Sequence, residues 1–314
     1  LTGGYHAPVL LAEVRDLMRP RSGGLHLDAT LGGGGHAEAI LEASSPEGRL
    51  IALDRDPAAI EHARRRLTRF GERVEFHELD FADLDQVPAL AGPAPRLAGA
   101  LFDLGVSSAQ IDDLARGFSY QQDAPLDMRM GPRGEPARDW LSRADLDVLA
   151  RVLREFGEER HARRIARAIV RERERDPIAT TGRLRSIVEA SVPASSHRLK
   201  SVARVFQALR IAVNDELTAL EQGLRKCVER LEGGARLAVI AYHSLEDRIV
   251  KQFFRELARD CVCPPDFPVC RCDKESEATI LTSKPIRPGA AEIASNPRAR
   301  SALLRVIERR RVQS

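Results

Sequence analysis

The chain has no run of about 18 apolar residues, so nothing in it reads as a membrane-spanning helix. Its first residues lack the basic-then-apolar layout of a secretory signal, and the expected compartment is cytoplasmic. There is no internal repeat and no low-complexity tract, which argues against a repeat array or a long disordered linker. Tryptophan occurs once, as Trp140 in a helical stretch, where packing is the expected role and base stacking the alternative. Cysteine is scarce at five residues in 314, too few for a disulfide-stapled scaffold. A strong net charge is also missing, the formal value being +3. The charges are unevenly placed, however. Between Arg143 and Arg210 there are 16 Lys/Arg against 9 Asp/Glu, a surplus of 7 that leaves the remainder near −4. Such a local surplus points to a polyanionic partner, with a solvated mixed-charge helix face as the plain alternative.

What is present organises itself around Asp28–His36, Asp-Ala-Thr-Leu-Gly-Gly-Gly-Gly-His. This stretch follows the short run Leu25–Leu27 and precedes a helix-like segment, Ala37–Ala43, so it occupies a strand-to-helix turn. Glycines there permit positive φ and close approach of a ligand to the main chain. The following helix offers free N–H groups and the positive end of its dipole. That is the form of a nucleotide-type cofactor site, although a plain turn has the same composition. Asp54 favours the first reading, because it ends the next apolar run, Leu50–Leu53, about 20 residues on, where a carboxylate accepts ribose hydroxyls.

Further apolar runs at Val74–His77, Gly99–Asp103 and Arg236–Tyr242 alternate with helical segments. Alternation predicts a parallel sheet covered on both faces, with Ala278–Thr282 and Ala302–Ile307 as a closing antiparallel pair. In such sheets ligands lie beyond the carboxyl ends of the strands, where Gly32–His36, Asp54, Phe81 and Asp103 fall. From about Ala115 to Asp215 the pattern is helical without strands, and Arg151–Arg175 reads as one helix stopped by Asp176-Pro177. The expected architecture is α/β, with a sheet domain from residues 1–114 and 216–314 and an inserted all-helical domain from 115–215. A chain of 314 residues has material for two such substructures.

The acid ending the fourth strand opens the loop Asp103–Gln110, which in a nucleotide-cofactor fold borders the reacting end of the cofactor. Asp103 and Gln110 are its acceptor and donor candidates, a water-facing loop cap being the alternative. His243 follows the fifth strand and precedes Glu246, Asp247 and Arg248, a placement that suits substrate contact as well as a structural role. Cys261 and Cys263 face Cys270 and Cys272 across six residues that include three prolines. Paired cysteines in a reducing compartment argue for metal before disulfide, and four thiolates can close a tetrahedral zinc site, though each pair has a one-residue gap instead of the usual two. A catalytic metal is not expected. Cys227 stands alone and reads as buried.

Several longer strings together resemble one family, the S-adenosylmethionine-dependent 16S ribosomal RNA cytosine-N4 methyltransferases of the RsmH type, formerly MraW. They are His6–Leu11, Asp28–His36, Ala52–Pro57, Asp103–Gln110 with Arg116–Ser119, and Pro125–Met130. Phe206–Ile211, His243–Arg248, Lys284–Pro288 and Asn296–Ser301 continue the match over essentially the whole chain. The string from His197 to Val205 departs from the form common in relatives. The resemblance implies a class I, Rossmann-like methyltransferase fold with an inserted helical domain and S-adenosyl-L-methionine as cofactor. It implies cofactor contacts at Gly34, Gly35, His36, Asp54, Phe81, Asp103 and Gln110, and a catalytic position at Asp103. The implied substrate is a cytidine of the decoding region, methylated on its exocyclic nitrogen within a 30S-type particle. From the residues alone, a nicotinamide-dependent oxidoreductase and a non-catalytic RNA-binding protein are the competing classes.

Overall fold

Leu50, Ile51, Ala52 and Leu53 are all fully buried. Ile51 and Leu53 pack into one apolar cluster and Leu50 and Ala52 into another, because alternate side chains leave opposite faces of a strand and both faces are covered. This explains why the strand reads as a continuous apolar run. The structure is a computed structural model that describes residues 8–91, 97–194, 198–263, 270–272 and 274–311. His6, Ala7, His197 and the residues between the two cysteine pairs lie outside the described residues.

In chain order the elements are α1 (Leu11–Met18), β1 (Leu25–Asp28), α2 (Gly35–Ala43), β2 (Arg49–Asp54), α3 (Pro57–Leu67), β3 (Val74–Glu78) and β4 (Leu97–Asp103). Helices α4 (Ser108–Asp112), α5 (Ala137–Arg143), α6 (Leu146–Glu155), α7 (Ala162–Arg173), α8 (Thr181–Ser191) and α9 (Arg198–Asn214) follow. The chain then forms α10 (Glu216–Glu229), β5 (Leu231–Ala241), α11 (Ser244–Ala258), β6 (Ala278–Ile280), α12 (Ala290–Ser295) and β7 (Leu303–Arg309). It divides into two compact units: one takes Val106–Thr218, and the other takes the stretches before and after it.

The second of these units holds a sheet ordered β3-β2-β1-β4-β5-β7-β6. Strands β1 to β5 run parallel, and β7 lies antiparallel to both β5 and β6. Register places the strand-end acids in a row. Asp28 pairs with Ala52 on one side and Leu101 on the other, so Asp54 and Asp103 each lie two residues beyond its partners. Val14, Ile40 and Ala63 of α1, α2 and α3 cover one face of the sheet. Leu220, Leu224, Val250 and Phe253 of α10 and α11 cover the other. Asp56 caps α3 by accepting from the Ala58 N–H at 3.1 Å, with Pro57 in the first turn, where its missing N–H costs nothing.

In the helical unit, Leu149, Leu153, Ile165, Ile169, Leu184, Val188, Phe206 and Leu209 share one core, with Trp140 packed against it. The stretch Arg151–Arg175 is not a single helix: it breaks between α6 and α7. Gly157 sits at the break, where a Cβ would stand 2.7 Å from the Arg204 carbonyl oxygen and 2.8 Å from that of Leu153. Glu158 adopts a left-handed φ of 49°, and the Glu159 N–H closes the turn on the Leu153 carbonyl at 3.1 Å. A straight helix would carry Ile165 and Ile169 away from the core that Leu149 and Leu153 enter.

One buried ion pair ties β7 to α11. Arg305 donates to both Asp247 oxygens, at 2.7 and 3.1 Å, and its side chain is 10% exposed. Removing one partner of such a pair strands the other charge. Asp247→Ala should therefore cost about 3 to 5 kcal/mol in urea unfolding, and Asp247→Ala combined with Arg305→Met should recover most of that loss.

Candidate active site

Each acid of the row is desolvated and held by a short list of donors. Asp28 is 1% exposed; one oxygen accepts from the Thr30 N–H at 3.2 Å, and Oδ2 has no hydrogen-bond partner among the described residues. Asp54 uses both oxygens, accepting from the Gly32 N–H and the Asp56 N–H at 2.8 Å each. Asp103 accepts the Tyr242 hydroxyl hydrogen on Oδ1 at 2.9 Å, while its own N–H donates to the Thr30 hydroxyl at 2.6 Å. Its other oxygen stands 3.6 Å from Nε2 of His36.

Burial dominates the proton equilibria of these groups. It pushes the Asp28 and Asp103 carboxyls up to about 7 and that of Asp54 to about 6. Neighbouring carboxylates raise Asp28 further, whereas the Gly32 and Asp56 amides hold Asp54 down and the Tyr242 hydroxyl holds Asp103 down. Burial also lowers His36 to about 4, so its ring is neutral at pH 7. The result is a half-buried, acceptor-rich ledge at the carboxyl ends of β2, β1 and β4. Its chemistry favours a ligand that brings positive charge and hydroxyl or amine hydrogens.

The glycine turn sits beside this ledge. Gly32 and Gly34 have φ of 49° and 75°, and Gly34 is the N-cap residue of α2, which begins without a side-chain cap. Main-chain donors at that helix end are thus left for something other than a capping side chain. The glycines also answer to packing. A Cβ on Gly35 would stand 2.3 Å from Cγ of Pro8, and one on Gly34 3.2 Å from Cβ of Ala63. Gly32 is the open one, with only the Thr30 carbonyl within reach at 3.9 Å.

The remaining candidates fall as follows. Phe81 begins a 3-10 turn capped by Asp80, meets Phe102 edge-on at 5.4 Å between ring centroids, and packs closely enough on Gly223 to forbid a side chain there. Gln110 belongs to the helical unit, where its Oε1 accepts from the Ser107 N–H at 3.0 Å and its Nε2 donates to the Met130 carbonyl at 3.2 Å. His243 is the N-cap of α11, in a capping box with Glu246, whose Oε2 accepts from the Tyr242 and His243 N–H groups. Three contributors escaped the sequence reading as individual site residues: Asp28, Thr30 and Tyr242. Asp28 ends β1 as Asp54 and Asp103 end their strands, a signal that was available. Nothing local marks Tyr242, which reaches Asp103 only because β5 lies beside β4.

The model of the MraW methylase family matches residues 4–310. The chain is 49% identical over 308 residues to a ribosomal RNA small subunit methyltransferase H from Heliobacterium modesticaldum, covering 97% of this chain and 98% of the relative. It is 50% identical over 306 residues to the protein of that name from Symbiobacterium thermophilum, covering 96% of each. Among solved structures, a putative methyltransferase from Streptococcus mutans in complex with SAH superposes at a TM-score of 0.46 with 13% identity, covering 97% of this chain and 99% of that one.

The desolvated ledge has a stability cost with a defined pH window. The Asp103 carboxyl ionises near 3.8 in the unfolded chain and near 7 in the folded one. Folding is therefore penalised increasingly as pH rises between those values, and fully above 7. Asp103→Asn removes the penalty, so the ligand-free variant should melt above wild type at pH 8 and gain less at pH 5. Thermal melts at the two pH values check this, and an equal gain at both would contradict it.

Proposed function

The chain belongs to the MraW methylase family, and from that premise we propose that it transfers a methyl group from S-adenosyl-L-methionine to the exocyclic N4 of a cytidine in the decoding region of 16S ribosomal RNA. The observation that carries the reading is the acidic ledge joined to the uncapped start of α2. It suits a cofactor that is cationic at its reacting centre and bears ribose hydroxyls and an amino-acid end. S-adenosylmethionine supplies the methyl on a sulfonium, which is already a good leaving group.

The chain's own residues bind, orient and exclude water. Asp54 braces the glycine turn through the Gly32 N–H and keeps further lone pairs for hydroxyl donors. Gly34, Gly35 and His36 lie at the α2 terminus, His36 as a neutral ring against Asp103. Phe81 supplies an apolar wall after β3. Asp103 holds the amine hydrogens of the cytosine and draws the nitrogen lone pair out of conjugation with the ring. Tyr242 keeps that carboxylate aimed and favours its ionised form. Alignment of this kind is worth as much as about 7 to 11 kcal/mol. The methylated amine is strongly acidic, so its proton passes to water or to Asp103 without a dedicated base.

Recognition of the RNA is assigned to the helical segment and to the loops from Asp103 to Met130. Many arginines there are occupied: Arg173 donates to the Leu141 and Ala144 carbonyls, Arg129 grips Asp127, and Arg210 grips Glu216. Arg164 and Arg167 of α7 are exposed and make no ion pair or hydrogen bond among the described residues. Three residues apart, they share one side of the helix and suit a phosphate backbone. The acceptor is taken to be a partly or fully assembled small subunit, in which the target base must be unstacked to react.

Purified protein, labelled cofactor, free 16S RNA and small subunits test the reading, with mass spectrometry locating the methyl group. Methyl on no cytosine N4 would overturn it. Asp103→Ala should lower turnover by about 100-fold, a larger loss than its effect on cofactor affinity. Asp54→Ala should weaken cofactor binding by about tenfold or more in calorimetry, since it loses both a ligand contact and the brace on the turn. Arg164→Ala with Arg167→Ala should weaken RNA binding and lower the slope of log affinity against log salt by about 1 to 2.

A further inference from the structure

The four cysteines between α11 and β6 take no part in the proposed chemistry, yet they converge. Cys261, Cys263, Cys270 and Cys272 are free thiols whose sulfur atoms all lie within 4.8 Å of one another. Cys261 is 3.4 Å from Cys270 and 3.8 Å from Cys272, and Cys270 is 3.5 Å from Cys272, sulfur to sulfur. These separations exceed a disulfide bond and match the edge of a small tetrahedron. Four sulfurs at the zinc–thiolate distance of about 2.3 Å from one ion stand about 3.8 Å apart.

Main-chain donors surround the same atoms. The Val262 N–H points to Cys272 Sγ at 3.3 Å, the Cys263 N–H to Cys261 Sγ at 3.4 Å, and the Arg271 N–H to Cys263 Sγ at 3.4 Å. Donors aimed at sulfur favour the thiolate, and four thiolates in van der Waals contact repel one another unless a cation sits between them. Cys227 differs in place: it is fully buried in the apolar core, packed among aliphatic side chains and not among sulfurs.

We propose that Cys261, Cys263, Cys270 and Cys272 bind one zinc ion as a closed, four-thiolate structural site. Four soft sulfur ligands select zinc over the hard divalent cations, and with all positions filled by protein no site is left for water or substrate. Binding converts four thiols to thiolates and releases four protons to solvent as the ion's water leaves. The site pins the segment joining the end of α11 at Ala258 to β6 at Ala278, the edge strand of the sheet. The far end of that segment is already anchored by the Glu277 N–H on the Leu257 carbonyl at 2.7 Å and by Arg309 on Glu277 at 2.7 Å. Closing the 12 residues from Cys261 to Cys272 on one ion holds the edge in place. The proposal is independent of the methyltransferase reading.

The full chain, purified under reducing conditions without added metal or chelator, is assayed by elemental mass spectrometry. About one zinc per chain is expected, and cobalt exchanged into the site should give the intense near-ultraviolet thiolate band and the visible bands of a tetrahedral centre. The Cys263→Ser, Cys270→Ser double variant should lose the zinc, and stripping the wild type with a chelator should lower its melting temperature by several degrees. Zinc far below one per chain with no cobalt bands, iron in its place, or two disulfides in the reduced preparation would each overturn the proposal. These wild-type measurements decide the matter even where the double variant fails to fold.

Discussion

Three carboxylates lie next to one another at the carboxyl ends of β2, β1 and β4, Asp28 buried and Asp54 and Asp103 half-buried, and much of the surrounding structure serves to keep them there. Adjacent strands of a parallel sheet deliver their ends to one edge. Ionised acids in that position repel and are poorly solvated, so each is supported by what the fold can spare: amides of the turn for Asp54, the Thr30 N–H for Asp28, a phenol from β5 for Asp103. The donors are too few to bring the acids back to ordinary behaviour, a shortfall that suits a cationic, hydroxyl-bearing ligand.

The elements that sequence patterns exposed were those under local control. β1 runs from Leu25 to Asp28 as its apolar run indicates, and the Asp56-Pro57 start of α3 follows from capping chemistry. Gly157 shows where local pattern fails. The close approach of the Arg204 carbonyl, far along the chain, leaves no room for a Cβ at that position, and no local pattern shows it. The site divides in the same way. Asp54 and Asp103 announce themselves as acids ending apolar runs, whereas Tyr242 acquires meaning from a strand pairing and Phe81 from its contact with Gly223. The four cysteines could be paired on paper in several ways, and their convergence on one point is a property of the folded loop.

Arginine in the helical segment illustrates how one residue type serves two ends. Some guanidinium groups fill the carbonyl-rich ends of helices and loops, Arg173 and Arg129 among them, where a planar fork of donors satisfies several acceptors at once. Others stand free on the surface. A charge count of the sequence cannot separate the two groups, so the excess of basic residues overstates the surface available to a polyanion. The usable positive surface is the smaller set left after the structural bonds are taken away.

The position of β7 has a temporal meaning. It is the last strand of the described chain, and it lies between β5 and β6. β5 in turn completes the support of Asp103 through Tyr242, and its pairing with β4 requires everything from Val106 to Thr218 to have been synthesised first. Until Leu303–Arg309 leaves the ribosome, β5 has an open edge and β6 has no partner. Closure of the sheet therefore waits on β7, the strand made after both of its neighbours.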